Sequence, residues 1–409
     1  MRILILTQYF PPEIGAPQNR LFELATRLQK NGIDISVLTA MPNYPQMEVY
    51  KNYKGKFFFK EQIANLDIYR SWIYVSKNRS IVSRLLNYFS FVFSSLFYGL
   101  FIKKKFDYVF CESPPLFLGI TAFILTKFKR VKLIFNVSDL WPESAEKLGI
   151  IENKFFLKIS TNLEEFLYKK SSFISGQTQG IVSNIKNRFP EKTVYWLPNG
   201  VDLSYYRFDS TYSKNDFLKD FKLSDTDIIF LYAGIIGYAQ GLEVIIKAAN
   251  LLKDRSDIKF VLLGSGPEKQ KLIELKNNYN LENVIFIDAV EKSKMPTIIS
   301  SITGAIIPLK KLDLFKGAIP SKIFENLAMK KPILLGVEGE ALDLFIKEGK
   351  CGLSFEPENY NHLAKQIVHL LDSKNLIEEL GENGYCYVKE KFNRDIIATK
   401  FALALKNIK

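Results

Sequence analysis

The chain has 409 residues, of which 47% are hydrophobic and 24% charged, and a formal net charge of +13. That length exceeds one ordinary hydrophobic core and suits two domains, while the composition excludes a disordered chain. Three scattered cysteines without a CxxC pair argue against a disulfide framework or a zinc site, and the only two histidines, His362 and His369, argue against a histidine triad or a multi-histidine metal site.

The first half of the chain alternates strands and helices. A strand at Arg2–Thr7 is too short for the apolar region of a signal peptide, so we expect a cytoplasmic protein. A helix follows at Asn19–Asn31. Further strands are predicted at Asp34–Thr39, Tyr108–Cys111, Lys132–Asn136, Phe173–Gly176 and Thr193–Leu197. The pattern predicts a parallel sheet that is covered on both faces.

Basic charge is concentrated in this half. Residues 1–195 hold 27 Lys and Arg against 15 Asp and Glu, and the uncharged stretch Leu85–Ile102 ends at Lys103-Lys104-Lys105. The stretch could be a buried core helix, a membrane span, or a helix in the membrane interface with its lysines at lipid phosphates. We favour the third and expect an anionic membrane surface as a partner. Without a stacking motif or a reading helix, we expect no nucleic acid partner.

A turn cluster at Pro198–Asp202 and the polar segment Ser204–Asn215 mark a domain boundary. We predict an N-terminal, membrane-facing domain over residues 1–203 and a C-terminal domain over residues 204–390. The second domain has its own strands at Ile228–Ala233, Lys259–Leu263, Val284–Ile287, Gly304–Ile307 and Pro332–Leu335. Two such doubly wound domains face each other across a cleft, where ligands bind beyond the carboxyl ends of the strands.

Glycine-rich loops follow the first strands of both domains. In the first domain the loop contains Gly15, although it could be a plain connection. In the second domain, Gly237, Gln240 and Gly241 follow one strand. Gly264 and Gly266 follow the next strand. Such glycines let the backbone approach a ligand phosphate, so the two loops predict a nucleotide site.

The segment Gly317–Asn326 gives the sharpest signal. Pro320 and Ser321 are helix-start residues, so the N–H groups of Ala318, Ile319 and Ser321 are predicted to point at an anion. Lys322 would add a positive charge, and Glu325, one turn further along the helix, could accept hydrogen bonds from two ribose hydroxyls. The alternative is a surface ion pair between Lys322 and Glu325.

A polar cluster follows the strand at Lys132–Asn136. Ser138, Asp139, Trp141 and Glu143 suit a sugar or a sugar-pyrophosphate acceptor. Asp139 could equally cap the next helix.

The whole chain resembles the retaining GT-B glycosyltransferases of family 4. The similarity runs through MRILILTQYFPPEIG, SDLWPES, LPNGVD, AQGLE, GSGP and PSKIFENLAMKKPIL, in that order. The resemblance is greatest to the branch of bacterial O-antigen and capsule transferases, such as N-acetyl-L-fucosamine transferases. It implies metal-independent transfer with retention, from a nucleotide-sugar, expected to be UDP-linked, to a polyprenyl-diphosphate-linked glycan. It also implies that the first domain binds the acceptor, that the second domain binds the donor, and that residues 391–409 cross back to the first domain.

The resemblance assigns roles residue by residue. Glu325 matches the second glutamate of the family's E-x7-E pattern, which contacts the donor ribose, but the first glutamate is replaced by Gly317. The family's basic pair is replaced by Ile235 and Gln240. Lys322 is therefore the candidate to hold the leaving diphosphate.

In that mechanism Asp139 would orient the acceptor, although a double displacement through Asp139 or Glu143 stays open. No cofactor is expected. The alternatives of another class are a UDP-N-acetylglucosamine 2-epimerase-like enzyme of the same architecture and a catalytically silent nucleotide-sugar-binding protein.

Overall fold

The computed structural model describes residues 1–13, 15–78, 80–147, 149, 151–207, 221 and 223–408. The chain forms two compact units: Met1–Asn199 with Arg394–Lys409 (unit 1), and Gly200–Asn393 (unit 2). The predicted boundaries were after residues 203 and 390. Much of the predicted polar segment Ser204–Asn215, from residue 208 onward, lies outside the described residues.

Unit 1 is built on an eight-stranded sheet with the order β3-β4-β2-β1-β5-β6-β7-β8. Its strands are β1 (Arg2–Leu6), β2 (Asp34–Ala40), β3 (Phe58–Ile63), β4 (Leu66–Ser71), β5 (Tyr108–Ser113), β6 (Lys132–Val137), β7 (Phe173–Gly176) and β8 (Val194–Trp196). The pairs are parallel except for β3 with β4, which form an antiparallel hairpin.

The expectation of a purely parallel sheet was therefore wrong at this edge. The hairpin turn consists of Ala64 and Asn65, both with positive φ, as a two-residue turn that matches strand twist requires. No glycine in the sequence indicates this turn. Strand β3 is also hard to tell from a loop in the sequence. As an edge strand it pairs on one side only, and its residues alternate between exposed and half-buried rather than between exposed and buried.

Helices connect the strands. In chain order the described ones are α1 (Ala16–Lys30), α2 (Ile81–Phe101), α3 (Leu118–Lys129), α4 (Glu143–Lys147), α5 (Lys154–Lys170), α6 (Gln179–Arg188), α7 (Glu243–Leu251), α8 (Lys269–Asn278), α9 (Met295–Ser300), α10 (Lys322–Ala328), α11 (Glu340–Leu342), α12 (Tyr360–Asp372), α13 (Leu376–Lys391) and α14 (Arg394–Lys406).

Alternate residues of β1 point into two different cores of unit 1. Leu4 and Leu6 join the core that α2, α3, α5 and α6 cover, whereas Ile3 and Ile5 join the core that α1 and α14 cover. The period of two places successive side chains on opposite faces of the sheet. The sheet is therefore sandwiched between helices, and α14 belongs to the second of these layers.

Helix α2 covers most of the segment Leu85–Ile102. Its inner side is buried at Asn87, Phe91 and Val92, and the Asn87 amide is engaged by Gln8 and by the carbonyl of Tyr74. Within the described residues, every helix falls short of the combined length and apolarity that a bilayer crossing requires.

Unit 2 has a six-stranded parallel sheet with the order β11-β10-β9-β12-β13-β14. Its strands are β9 (Ile228–Ala233), β10 (Ile258–Leu263), β11 (Val284–Ile287), β12 (Gly304–Pro308), β13 (Ile333–Gly336) and β14 (Gly352–Ser354). The sequence did not predict β14, since three residues are too few for a periodic pattern. Because the strands are parallel, the loops after β9, β10 and β12 meet at one edge.

Candidate functional site

Two glycine loops of unit 2 lie against each other. The loop after β9 and the loop after β10 continue the pairing of their strands, with Gly234 N–H donating to Leu263 O at 2.9 Å and Ile236 N–H to Ser265 O at 2.9 Å. A Cβ on Gly264 would stand 1.8 Å from Gly234 O, and one on Gly266 would stand 2.2 Å from Ile236 O. Gly264 and Gly266, which were predicted to let a ligand approach, are therefore required for the close packing of the two loops.

Lys322 extends its side chain to this pair of loops. It is the first residue of α10, and its Nζ lies 3.9 Å from the ring centroid of Tyr232. A Cβ built on Gly234 would be only 3.0 Å from the same Nζ. Among the described residues, no carboxylate or carbonyl bonds this ammonium group; Glu325 acts on it only through the Coulomb interaction. Burial lowers the pKa of Lys322 to about 7.

The backbone before α10 agrees only partly with prediction. The N–H of Ala318 donates to Phe315 O at 2.9 Å, so the expectation that it is free was wrong: the preceding 3-10 turn, Asp313–Gly317, uses it. Within the described part of the chain, no backbone carbonyl accepts from the N–H groups of Ile319 or Ser321. The Ser321 side chain makes no cap bond.

Other predicted donor residues lie at the same edge of unit 2. Gln240 and Gly241 end a short 3-10 turn after β9, and Gly241 has a φ of 58°, where glycine is favoured. Gly237 and Gly241 also line a cavity of about 80 Å³, together with Lys310. Glu325 is half-buried on α10, three residues after Lys322.

Sequence reasoning missed Lys310 and Tyr232. The N–H of Lys310 donates to Ala239 O at 3.0 Å, and its Nζ lies 3.2 Å from the ring centroid of Tyr238. Tyr232 is 1% exposed in β9 and reads in the sequence as an ordinary core residue. Its position near the carboxyl end of the strand was the available signal.

In unit 1, Gly15 holds the N-cap position of α1 with extended backbone, and its carbonyl accepts from Asn19 N–H at 3.0 Å. The loop before it is fixed by the buried Glu13, whose carboxylate accepts from the N–H groups of Asn43 at 2.7 Å and Tyr44 at 2.9 Å. Desolvation raises the pKa of Glu13. The donor-binding role of Gly15 stays a prediction.

The predicted acceptor cluster follows β6, and protein groups already contact most of it. Asp139 accepts from the Ser144 hydroxyl at 2.8 Å, which is a contact to the helix but not a cap on its backbone N–H groups, and desolvation raises its pKa. The Trp141 ring packs edge-on against Phe117, with centroids 5.5 Å apart. Glu143 pairs with Lys147 at 2.7 Å. An acceptor role for these residues stays a prediction.

Ser138 belongs to a buried polar network that the sequence did not reveal. Arg20 of α1 donates to Glu112 and, at 2.7 Å, to the Ser138 hydroxyl, which itself donates to Glu112. Asn136 donates to the other Glu112 oxygen at 2.6 Å. Glu112 follows a predicted strand, which was the only hint. The network joins the carboxyl ends of β5 and β6 to the first helix.

The predicted residues therefore fall into two groups. Unit 2 brings together the two glycine loops, Lys322 and Glu325, whereas Gly15 and the Ser138–Glu143 cluster lie in unit 1 at the ends of β1 and β6. Nowhere in the residues that the structure describes do three or more His, Cys, Asp or Glu side chains group as metal ligands would.

Family models match both units. The model described as Glycosyltransferase Family 4 matches residues 18–205, and the model described as Glycosyl transferases group 1 matches residues 213–386. Among curated proteins, the chain is 25% identical over 378 residues to the colanic acid biosynthesis glycosyl transferase WcaI of Escherichia coli strain K12, an alignment that covers 90% of this chain and 91% of WcaI.

Solved structures resemble the chain over nearly all its length. Sucrose-phosphate synthase from Thermosynechococcus elongatus has a TM-score of 0.76 at 16% identity and covers 99% of this chain and 98% of its own. Anabaena HepE, solved with UDP and glucose, has a TM-score of 0.73 at 14% identity and covers 99% of each chain. The predicted GT-B fold is thereby confirmed.

Proposed function

From the premise that this chain consists of a family 4 glycosyltransferase domain followed by a group 1 glycosyltransferase domain, we propose that it transfers a hexose, N-acetylated or deoxygenated, from a UDP-sugar to a lipid-linked glycan. The transfer retains the anomeric configuration, needs no metal ion or cofactor, and serves the assembly of a bacterial surface polysaccharide such as O-antigen or capsule. WcaI, named for colanic acid biosynthesis, supports this process. The epimerase-like alternative is not favoured, since both family models are those of glycosyltransferases.

The observation that carries the donor part is the ammonium of Lys322. The Lys322 side chain is half-buried, its ammonium is desolvated against the loop at Gly234, and it forms no ion pair among the described residues. A buried cation without a paired anion is unfavourable, so a ligand that supplies the negative charge stabilises it. The diphosphate of a nucleotide-sugar is such a ligand, and glycine loops let it come close. HepE, solved with UDP and glucose, supports uridine as the base.

In the proposed reaction the acceptor hydroxyl oxygen bonds to the anomeric carbon while the bond from that carbon to the diphosphate breaks. The acceptor proton passes to an oxygen of the departing diphosphate on the same face. Lys322 neutralises the charge that develops on that group, which is electrostatic stabilisation of a leaving anion. Glu325 accepts hydrogen bonds from the ribose hydroxyls of the donor, and Asp139 orients the acceptor.

The proposed lipid-linked acceptor is supported by an aromatic face on unit 1, formed by the outward sides of α2, α3 and α5. Among the described residues, the phenylalanines that are exposed all lie in unit 1. On the aromatic face, α2 presents Phe93, Phe97 and Phe101, α3 presents Phe128, and α5 presents Phe155. Phe97 stacks on Phe58 of β3, which extends the face to the hairpin.

The charges around the aromatic face suit an anionic membrane. Neither α2 nor α3 contains an aspartate or glutamate, and exposed basic residues border the apolar side chains: Lys103, Lys105, Lys127, Arg130, Lys154, Lys158, Lys169 and Lys170. Aromatic rings at the headgroup level and lysines at lipid phosphates are the two components of interfacial binding. We therefore propose a peripheral protein on the inner face of the cell membrane.

Nucleotide binding tests the donor assignment. UDP, GDP and ADP are titrated by calorimetry without added metal into wild type, Lys322→Ala and Glu325→Ala. We expect UDP to bind and both variants to weaken it tenfold or more. If wild type binds none of the three nucleotides, the donor site is wrong. Binding of UDP-sugars without transfer to any lipid-linked acceptor would instead favour the silent binding protein.

Vesicle sedimentation tests the membrane part. Wild type should bind vesicles rich in phosphatidylglycerol, and the triple variant Phe93→Ser, Phe97→Ser, Phe101→Ser should not. Replacing the exposed apolar residues Leu251 and Tyr279 of unit 2 by serine is the matched control, which should bind as wild type does. Equal sedimentation of all three proteins would refute the aromatic face as the docking surface. Self-association in place of vesicle binding would assign it to a second copy.

A further inference from the structure

We propose that Tyr232 is a positioning residue for donor binding, whose ring holds the Lys322 ammonium and whose hydroxyl holds the glycine loop at which that ammonium arrives. The inference rests on the proposed function, because it concerns the same donor site. It adds a residue that neither the sequence motifs nor the family resemblance singles out.

The ring of Tyr232 supports the lysine. Lys322 Nζ lies over the ring, 3.9 Å from its centroid, where the negative face of an aromatic system attracts a cation. The ring itself is 1% exposed and packed in the core of unit 2 with Phe230 and Phe260. A flexible lysine side chain is thereby held against a buried ring, and no carboxylate among the described residues bonds its ammonium.

The hydroxyl of Tyr232 supports the loop. It donates a hydrogen bond to Ile235 O, three residues along the chain, at 2.5 Å. Between them Gly234 has a φ of 144°, and a Cβ there would lie 3.0 Å from Lys322 Nζ and 3.6 Å from the Tyr232 oxygen. One side chain therefore fixes both the curvature of the loop and the place of the cation beside it.

This arrangement gives the loop after β9 a positive charge that its own residues lack. Ile235 and Gln240 carry no charge, and the charge comes instead from α10, roughly 90 residues later in the chain. The Lys322 side chain could reach the loop after β9 in many conformations. Tyr232 selects one of them before the ligand arrives, which is the preorganisation that strengthens binding of an anion.

The test separates the ring from the hydroxyl by measuring the Kd for a UDP-sugar. Tyr232→Phe keeps the ring but loses the hydrogen bond to Ile235 O and should weaken binding about threefold, whereas Tyr232→Leu loses both and should weaken it about tenfold or more. Phe230→Leu is the matched control, since it makes the same change at a buried position of the same strand. We expect it to bind as wild type does.

A double-mutant cycle with Lys322→Gln shows whether Tyr232 acts through the lysine. In the Lys322→Gln background, Tyr232→Leu should bind no more weakly than Tyr232→Phe, because the ring then has no ammonium to hold. An equal loss in both backgrounds would overturn the inference, because Tyr232 would then act independently of Lys322.

Fluorinated phenylalanines at position 232 keep the proposal testable even if Tyr232→Leu fails to fold. They preserve the ring's shape while removing negative charge from its face, so the Kd should rise stepwise with each added fluorine when Lys322 is present and stay constant in Lys322→Gln. A constant Kd with Lys322 present would overturn the inference alone, leaving the donor site intact. A wild-type protein that binds no nucleotide would overturn the proposed function and the inference with it.

Discussion

Affinity for a nucleotide-sugar should fall as the pH rises through 7, because the cation that binds the diphosphate loses its proton there. The pKa of Lys322 in the empty protein is about 7, lowered by burial and only partly restored by Glu325. Below this pH the lysine is charged and ready to bind; above it, binding must first take up a proton.

The size of the effect follows from the linkage between protonation of Lys322 and binding of the nucleotide-sugar. If only the charged form binds, Kd increases tenfold for each pH unit above 7, so the Kd at pH 9 should be about 90 times that at pH 6. That ratio corresponds to about 3 kcal/mol of binding free energy. Lys322→Arg provides the control, because a guanidinium keeps its charge throughout this range and should give a nearly constant Kd.

Calorimetry with an intact UDP-sugar is the suitable assay. Free UDP has a terminal phosphate that itself titrates, whereas both phosphates of the sugar diester stay ionised between pH 6 and 9. The heat should also depend on the buffer above pH 7, since one proton is taken up on binding. A wild-type Kd that is constant from pH 6 to 9, or an arginine variant with the wild-type slope, would refute the reasoning.

Three further predictions concern stability and packing. Gly264→Ala should abolish nucleotide binding, because its Cβ would overlap Gly234 O, whereas Gly317→Ala, with open space around it, should bind and melt as wild type does. Arg20→Ala should lower the free energy of unfolding in urea by about 3–5 kcal/mol, since it leaves the buried Glu112 without its cation, and Arg2→Ala at an exposed ion pair should lower it far less; similar losses would contradict the burial argument. The empty protein should gain stability between pH 7 and 10.5, because the unfolded chain keeps the Lys322 proton that the folded one releases, and Lys322→Gln, measured by the same denaturation, should lack this gain.

The glycine loops and the element order were predictable because they depend on local signals. Strands of unit 2 such as Ile228–Ala233 have continuous apolar runs that end in glycine, and the edge at which they meet follows from parallel pairing. The hairpin of unit 1 was not predictable, since its turn has no glycine and its outer strand alternates weakly. Local patterns therefore gave the scaffold of both units but missed an edge.

Contacts between distant residues account for the rest of what the sequence concealed. Tyr232 lies in β9 and Lys322 begins α10, with three strands between them in the chain, and nothing near either residue indicates the other. Arg20 and Glu112 likewise lie on a helix and a strand that the chain separates widely. Asp139 had two local interpretations, a helix cap or an acceptor-binding residue, and its bond to the Ser144 hydroxyl tests neither of them.

Helix α14 makes the first unit depend on the last part of the chain. Phe401 contacts Phe110 and Phe173 in the core between α1 and the sheet, and Arg27 pairs with Asp395 at 2.7 Å. During synthesis on the ribosome, the sheet of unit 1 emerges early, yet one of its cores stays open until all of unit 2 has been made. Unit 1 is therefore translated first but completed last. During that interval the nascent chain exposes apolar surface of unit 1, which chaperones would bind.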